Sequence, residues 1–312
     1  MSDGHATSRR DFVKIAGGAA LGVCVAGPEA ALQAWQGASS PAVRFGYAAI
    51  TWEGNDVQAI DDVAAVGFKG IQLRSSAPEK FGDAPGALRD LLQKRQLTMV
   101  ALSSGNLRID PAVEAEELAK HTRNAKFVKD VGGLYLQIID ERPKRAIVPA
   151  DYKRLGVLMT ELGKRTADLG IPLVYHHHMN SLGERPEEVA PILEAADPKL
   201  VRLLLDVAHY QQGGGDPIKA IRQYHDRIQL LHIKDVVSPA PGATGDVSRS
   251  YQFVELGRGK VDLKGVFAAI KEVGFRGWAI VELDKVPDPS RTPKDCAIIS
   301  RDYLRNTFGF TI

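Results

Sequence analysis

From Val43 onward, eight short apolar runs alternate with stretches whose apolar residues recur at spacings of three and four. This alternation limits the folds open to the chain more than any other feature. The runs are Val43 to Ile50, Gly70 to Arg74, Leu97 to Ser103, Leu134 to Asp140, Ile171 to His177, Leu200 to Asp206, Ile228 to Lys234 and Trp278 to Leu283. Rich in Val, Ile and Leu, they read as strands buried on both faces. The segments between them read as amphipathic helices: Val57 to Val66, Leu88 to Arg95, Val113 to Val131, Tyr152 to Leu169, Pro186 to Ala195, Pro217 to Tyr224 and Leu263 to Val273, with Pro293 to Phe308 as a last one. Several end just before a glycine, as at Val66-Gly67, where a left-handed residue past the helix end is expected. Strands that alternate with helices pair in parallel. Eight such units predict a single (β/α)8 TIM barrel of the α/β class, with an open doubly wound sheet as the second choice.

The first forty residues differ in kind. Ser8-Arg9-Arg10-Asp11-Phe12-Val13-Lys14 is followed by a weakly apolar Gly/Ala-rich run from Ile15 to Gly27, and together they look like a twin-arginine export signal. The run is too short and too rich in glycine to span a bilayer stably. Residues 1–40 are therefore set apart as signal and linker, residues 41–312 as the barrel, and the expected location is the periplasm. Leu21-Gly22-Val23-Cys24 is a poor lipoprotein box, because Val23 stands where a small residue is wanted. With the signal removed, Cys296 is the remaining cysteine, so packing rather than a disulfide must hold the fold. A net charge of +2 without long blocks of one sign points away from nucleic-acid and membrane-surface partners and toward a small substrate. A homo-oligomer is compatible with this composition but is not indicated by it.

In a closed barrel the loops that follow the strand C-termini converge over the core and form the active face. The strand ends here are Thr51-Trp52-Glu53, Arg74, Ser103-Ser104, Asp140-Glu141-Arg142, His176-His177-His178, Asp206 with His209, His232 with Lys234 and Asp235, and Glu282 with Asp284. Strands five to eight thus each end in a residue able to bind a divalent metal. One histidine alone is more often a core or surface residue, but the recurrence over four consecutive strands favours a metal site. Alternation puts His176 and His178 on one face of an extended strand and His177 on the other, which leaves His177 as the structural member of the triplet.

Asp206-Val207-Ala208-His209, His232-Ile233-Lys234-Asp235, Leu256-Gly257-Arg258-Gly259-Lys260-Val261-Asp262 and Gly277-Trp278-Ala279-Ile280-Val281-Glu282 carry a resemblance. In order and spacing they resemble the xylose-isomerase-like TIM barrel superfamily of sugar isomerases, epimerases and inosose dehydratases, over Val43 to the C-terminus. The triplet followed by Met179-Asn180 is more similar to the inosose dehydratase branch than to the epimerases. The resemblance implies a manganese, cobalt or magnesium ion held by Glu, Asp, His and Glu at the ends of strands five to eight. Carried onto this chain, the positions are His176, Asp206, His232 and Glu282, with His176 in place of the usual glutamate. Two imidazoles and two carboxylates suit manganese first, with cobalt, iron or zinc as alternatives, and make magnesium a poorer fit.

Family epimerases are thought to use two metal-bound glutamates as bases, and here Glu282 is the one carboxylate base left in such a position. The expectation is proton abstraction next to a carbonyl through an enediolate, with a sugar isomerase or epimerase as the first reading. A lyase, either an inosose-type dehydratase or an eliminase of 3-keto-glycosides, is the alternative, and a non-catalytic sugar-binding barrel is the third. His209 is implied as a contact to a substrate oxygen, and His178, His209 and Lys234 are the candidate acids. Arg258, Trp52 and Glu141 are substrate candidates, each with a structural alternative: a solvated loop charge, an aromatic closing the barrel rim and a partner for Arg142. Val236 to Tyr251 reads as a structureless lid. Gly213-Gly214-Gly215 lacks the residues of a phosphate loop, so the expected substrate is unphosphorylated.

Overall fold

Each of the eight apolar runs forms a strand. The computed structural model describes residues 43–245 and 249–312, apart from Met1, and within them lie β1 (Val43–Ala48), β2 (Gly70–Arg74), β3 (Thr98–Leu107), β4 (Tyr135–Asp140), β5 (Leu173–His176), β6 (Val201–Asp206), β7 (Ile228–Ile233), the short β8 (Asp235–Val237) and β9 (Gln252–Val254), and β10 (Gly277–Val281). The export signal read in residues 1–40 falls outside the described residues. Eight strands pair in parallel around a ring in the order β1-β10-β7-β6-β5-β4-β3-β2, and β1 closes it by pairing with both β10 and β2. The predicted closed barrel is therefore the fold of the chain, and the open sheet is set aside.

Two apolar layers hold the ring. Inside it, Val100, Val174, Leu204, Leu230, Trp278 and Ile280 form a small cluster drawn from five strands. A much larger cluster fills the space between the strands and the surrounding helices. The inner cluster explains Gly70: a Cβ there would lie 2.5 Å from Trp278 Cζ3 and 2.6 Å from Val100 Cγ2, so only glycine lets β2 approach the buried indole. Gly67, past the helix Asp56–Val66, has φ +111° and donates its N–H to Val63, as the sequence predicted for a helix end. No helix among the described residues is long and apolar enough to cross a membrane.

Several differences from the sequence reading bear on the active face. β1 gives way after Ala48 to a 3-10 turn over Ala49–Trp52, and β5 stops at His176, one residue early. A short helix, Val207–Gln212, follows β6 directly because Asp206 Oδ1 accepts from the N–H groups of Ala208 (2.9 Å) and His209 (2.8 Å), an N-cap that turns the chain at once. The segment read as a structureless lid from Val236 to Tyr251 is anchored at both ends, since β8 and β9 pair antiparallel with Val236 opposite Phe253. Asp235 fixes the start of this ribbon, its carboxylate accepting N–H groups from Val236, Gly257, Gly259 and Val261. Three-residue strands are too short to show a period in sequence.

Candidate metal centre and active face

The ends of β5, β6 and β7 and the residue after β10 point four side chains at one place. Asp206 and His232 are register partners on adjacent strands, and His176 lies beside Leu204 on the next. His232 Nδ1 is 3.4 Å from Asp206 Oδ2 and 3.5 Å from Glu282 Oε1, and His176 Nε2 is 3.6 Å from the same Asp206 oxygen. All four residues are buried. Among the described residues, His176 Nε2, Asp206 Oδ2 and His232 Nδ1 nonetheless find no hydrogen-bond partner. An unsatisfied buried polar atom costs roughly 1–3 kcal/mol, so three converging on one point need a common explanation.

The tautomer of His232 supplies one. Its Nε2 lies 3.0 Å from Gln72 Oε1, which can only accept, so Nε2 carries the proton and Nδ1 offers a lone pair toward two carboxylate oxygens. Such an arrangement is repulsive by itself and is suited to a cation. The charge states agree. Burial drives the His176 imidazole down to about 3, aided by His232 nearby. Burial would raise the carboxyl of Glu282, but His232, Lys234 and His176 outweigh it and hold the group at about 2. Burial likewise opposes ionisation of Asp206, and His209, Lys234 and the other imidazoles outweigh it, so that carboxyl sits well below its ordinary range. Two carboxylates and the His232 lone pair, beside a His176 that is uncharged at neutral pH, make a donor set that fits a divalent cation of borderline softness.

A model of the Xylose isomerase-like TIM barrel family matches residues 60–306. The chain belongs to that family. Among relatives, the inosose dehydratase of Clostridium tetani is 30% identical over 295 residues, covering 84% of this chain and 96% of the relative. The inosose dehydratase of Lacticaseibacillus casei is 29% identical over 299 residues, covering 86% and 98%. A crystal structure of the IOLI protein with a binding zinc atom has the same fold, with a TM-score of 0.72 at 21% identity over 86% of this chain and all of that one.

Beside the cluster of this xylose isomerase-like barrel lies a buried cation. Lys234 Nζ is 3.0 Å from Glu282 Oε1, 2.6 Å from Asp284 Oδ1 and 3.3 Å from His209 Nε2, and stands 3.8 Å over the Phe253 ring. Burial disfavours its charge, but Glu282, Asp284 and Asp206 outweigh burial and raise its pKa. His209, its pKa driven well down by burial, is covered by Phe253 with ring centroids 5.1 Å apart. Both candidate acids thus have side chains sealed from solvent beneath β9.

The histidine triplet divides as alternation predicts. His177 turns away from the cluster, packs edge-on against Tyr210 at 5.3 Å and accepts the backbone N–H of Asp206 at 3.2 Å. His178 stays half-buried, its ring 3.8 Å from that of His209 and 5.4 Å from that of His176. Its Nδ1 lies 2.7 Å from the Met179 carbonyl oxygen and so carries a proton, and Nε2 has no hydrogen-bond partner among the described residues.

Three substrate candidates make no hydrogen bond or ion pair with the cluster. Trp52 is buried against Tyr47, with ring centroids 5.7 Å apart, and donates its indole N–H to Asp62 at 3.0 Å, which occupies it in packing. Arg258 is exposed and lies 3.9 Å from Glu255, which is itself paired with Arg291. Glu141 is half-buried and accepts from Asn106 Nδ2 at 3.4 Å, whereas Arg142 pairs with Glu188. Three residues at the site escape the sequence reading, Gln72, Gln137 and Phe253, and Asp284, one of the strand-end residues, is given no role in it. For the two glutamines a signal exists, a polar amide inside an otherwise apolar strand, in Gly70-Ile71-Gln72-Leu73 and Tyr135-Leu136-Gln137-Ile138.

Proposed function

We propose that this barrel is a divalent-metal-dependent lyase that removes water from an unphosphorylated ketocyclitol or keto-sugar through an enediolate. One observation carries the reading: the groups beside the cluster that keep some exposure are the carboxylates of Glu282 and Asp284, the latter paired with Lys234, and the imidazole of His178, rather than a pair of glutamates. Glu282 Oε1 faces His232 and Lys234, which leaves Oε2 as the oxygen for a substrate. His178 offers a free Nε2 from the β5 side. With Lys234 and His209 sealed beneath Phe253, His178 is the candidate acid that remains within reach of a leaving group.

A divalent cation held by His176, Asp206, His232 and Glu282 would polarise the substrate carbonyl and stabilise the enediolate. Glu282 Oε2 takes the proton from the carbon next to that carbonyl. Protonated His178 keeps its Nδ1–H on Met179 and gives its Nε2 proton to the departing β-hydroxyl, which leaves as water. Buried Lys234 holds Glu282 in place and offsets its charge. The substitution of His176 for a second carboxylate and the relatives named inosose dehydratases both support elimination. Isomerisation, the first reading from sequence, shares the proton abstraction and differs in where the proton returns. Manganese remains the ion we propose, with cobalt, iron and zinc able to use the same donors.

The test uses the protein loaded with manganese and a ketocyclitol in deuterated water. Loss of water with growth of ultraviolet absorbance from the conjugated product is expected, and its disappearance after chelation. Deuterium uptake into unchanged or isomeric substrate without loss of water overturns the lyase reading, and full activity after exhaustive chelation overturns the metal. The proposal extends to location: Arg9, Arg10, Phe12 and Lys14 support twin-arginine export. A chain with both arginines changed to lysine that still reached the periplasm would overturn that part.

A further inference from the structure

We propose that Gln72 and Gln137 are positioning residues that decide which nitrogen of His232 and His176 carries a proton, and that Gln137 does so by a half-turn of its amide coupled to metal binding. The proposal rests on the metal reading above. Both amides are buried, at 3% and 1% exposure, in strands that are otherwise apolar at those points. A buried amide is costly unless its hydrogen bonds are used.

The two imidazoles approach the cluster with opposite ring edges. His232 presents Nδ1 to it and Nε2 to Gln72, whereas His176 presents Nε2 to it and Nδ1 to Gln137. At His232, Gln72 turns Oε1 toward Nε2 at 3.0 Å, an orientation that places the proton on Nε2 and leaves Nδ1 for a cation. Gln72 does this from β2, three strands away around the ring from β7. Gln137 lies on β4, directly beside β5.

At His176 the amide is turned the other way. Gln137 Nε2 lies 3.2 Å from His176 Nδ1, so the amide donates, Nδ1 accepts and the proton sits on Nε2, 3.6 Å from Asp206 Oδ2. That tautomer cannot bind a cation through Nε2. The amide oxygen, Gln137 Oε1, is meanwhile buried with no hydrogen bond. A half-turn about the last side-chain bond exchanges two groups of nearly equal size. It sets Oε1 against His176 Nδ1, moves the imidazole proton there and leaves Nε2 with a lone pair toward Asp206. The amide nitrogen then stands unpartnered where the oxygen stood, so the turn trades one unsatisfied group for another and gains a ligand. Glutamine, which can donate or accept, serves both states, whereas glutamate can only accept and fixes the metal-binding one.

The test is cobalt binding to chelated protein, followed by the visible absorption of the bound ion and by calorimetry. Gln137→Leu and Gln72→Leu are expected to bind cobalt about 10- to 100-fold more weakly, the range found when such outer partners are removed. Gln137→Glu and Gln72→Glu are expected to return affinity to within a few-fold of wild type. Nitrogen-15 spectra of the imidazoles should show the His176 proton moving to Nδ1 on loading of the wild type, and already there in metal-free Gln137→Glu. Wild-type affinity in the leucine variants, or glutamate variants as weak as the leucine ones, overturns the proposal while leaving the metal reading intact. A wild type that binds no cobalt overturns both. The glutamate variants and the spectra decide the matter even if a leucine variant does not fold.

Discussion

Asp206→Asn is expected to abolish stoichiometric metal binding and to lower kcat/KM by about 10³-fold or more, a loss of roughly 4 kcal/mol of transition-state stabilisation, while leaving the barrel folded. The two oxygens of this carboxylate have separate tasks. Oδ1 caps the helix Val207–Gln212 through Ala208 and His209, and Oδ2 meets His176 and His232. Asparagine keeps an oxygen for the cap and offers an amide N–H where Oδ2 stood, a donor that suits the His232 lone pair. The same N–H meets the His176 Nε2 proton, and the charge that faces buried Lys234 is lost, so the metal-free variant is expected to melt below the metal-free wild type and to ignore chelation. In the wild type, a cation present at about a thousand times its dissociation constant adds about 4 kcal/mol to stability, which chelation removes. Asp206→Ala loses the cap as well, at a further cost of about 1 kcal/mol. Metal analysis, steady-state rates and thermal melts with and without chelator check these outcomes together. A metal-free Asp206→Asn protein more stable than the metal-free wild type would show that the carboxylate is not favoured by its neighbours.

Lys234→Met is expected to destabilise the metal-free protein by about 3–5 kcal/mol, because it leaves the buried carboxylate of Glu282 and the partly exposed one of Asp284 without their shared cation. The shift of the urea midpoint measures it. Loading with metal should shrink the penalty, since the ion then supplies positive charge beside Glu282. Adding Glu282→Gln to the variant should recover much of the loss. The sign of the pH dependence follows from Glu282. Its carboxyl is held at about 2, below its usual value of about 4.3, so the stabilisation it gives is complete above the usual value and is lost as pH falls toward the lower one. Lys234 is one source of that depression, so the variant should lose less stability than wild type on acidification. An unchanged midpoint in the metal-free variant would remove Lys234 as the counterion.

The ring and the convergence of His176, Asp206, His232 and Glu282 were legible because both follow from period and position. Apolar runs separated by helices specify a parallel ring, and the last residue of each strand specifies what faces the open end. Alternation also separated His177 from its neighbours, although β5 ends at His176 and the rule extends two residues past the strand. What stayed hidden depends on contacts that close only in three dimensions. Trp52 sits at a strand end, but the 3-10 turn over Ala49–Trp52 leads its indole to Asp62, and nothing local announces that turn. Arg258 follows a glycine in a loop whose direction is set by the distant carboxylate of Asp235. Phe253 covers Lys234 and His209 because the β8–β9 ribbon folds back over them, and each of its strands is too short to read. Gln72 could be noticed as an anomaly in its strand, but its partner is 160 residues away.

That long tie from Gln72 to His232 runs from β2 to β7 across the place where β10 meets β1, so the His232 tautomer is set only in a completed ring. A molecule whose halves have formed but not joined has Asp206 beside His232 and lacks the amide that sets the His232 tautomer. The buried amide on β2 and the imidazole on β7 thus satisfy each other only after the last strand pair has formed.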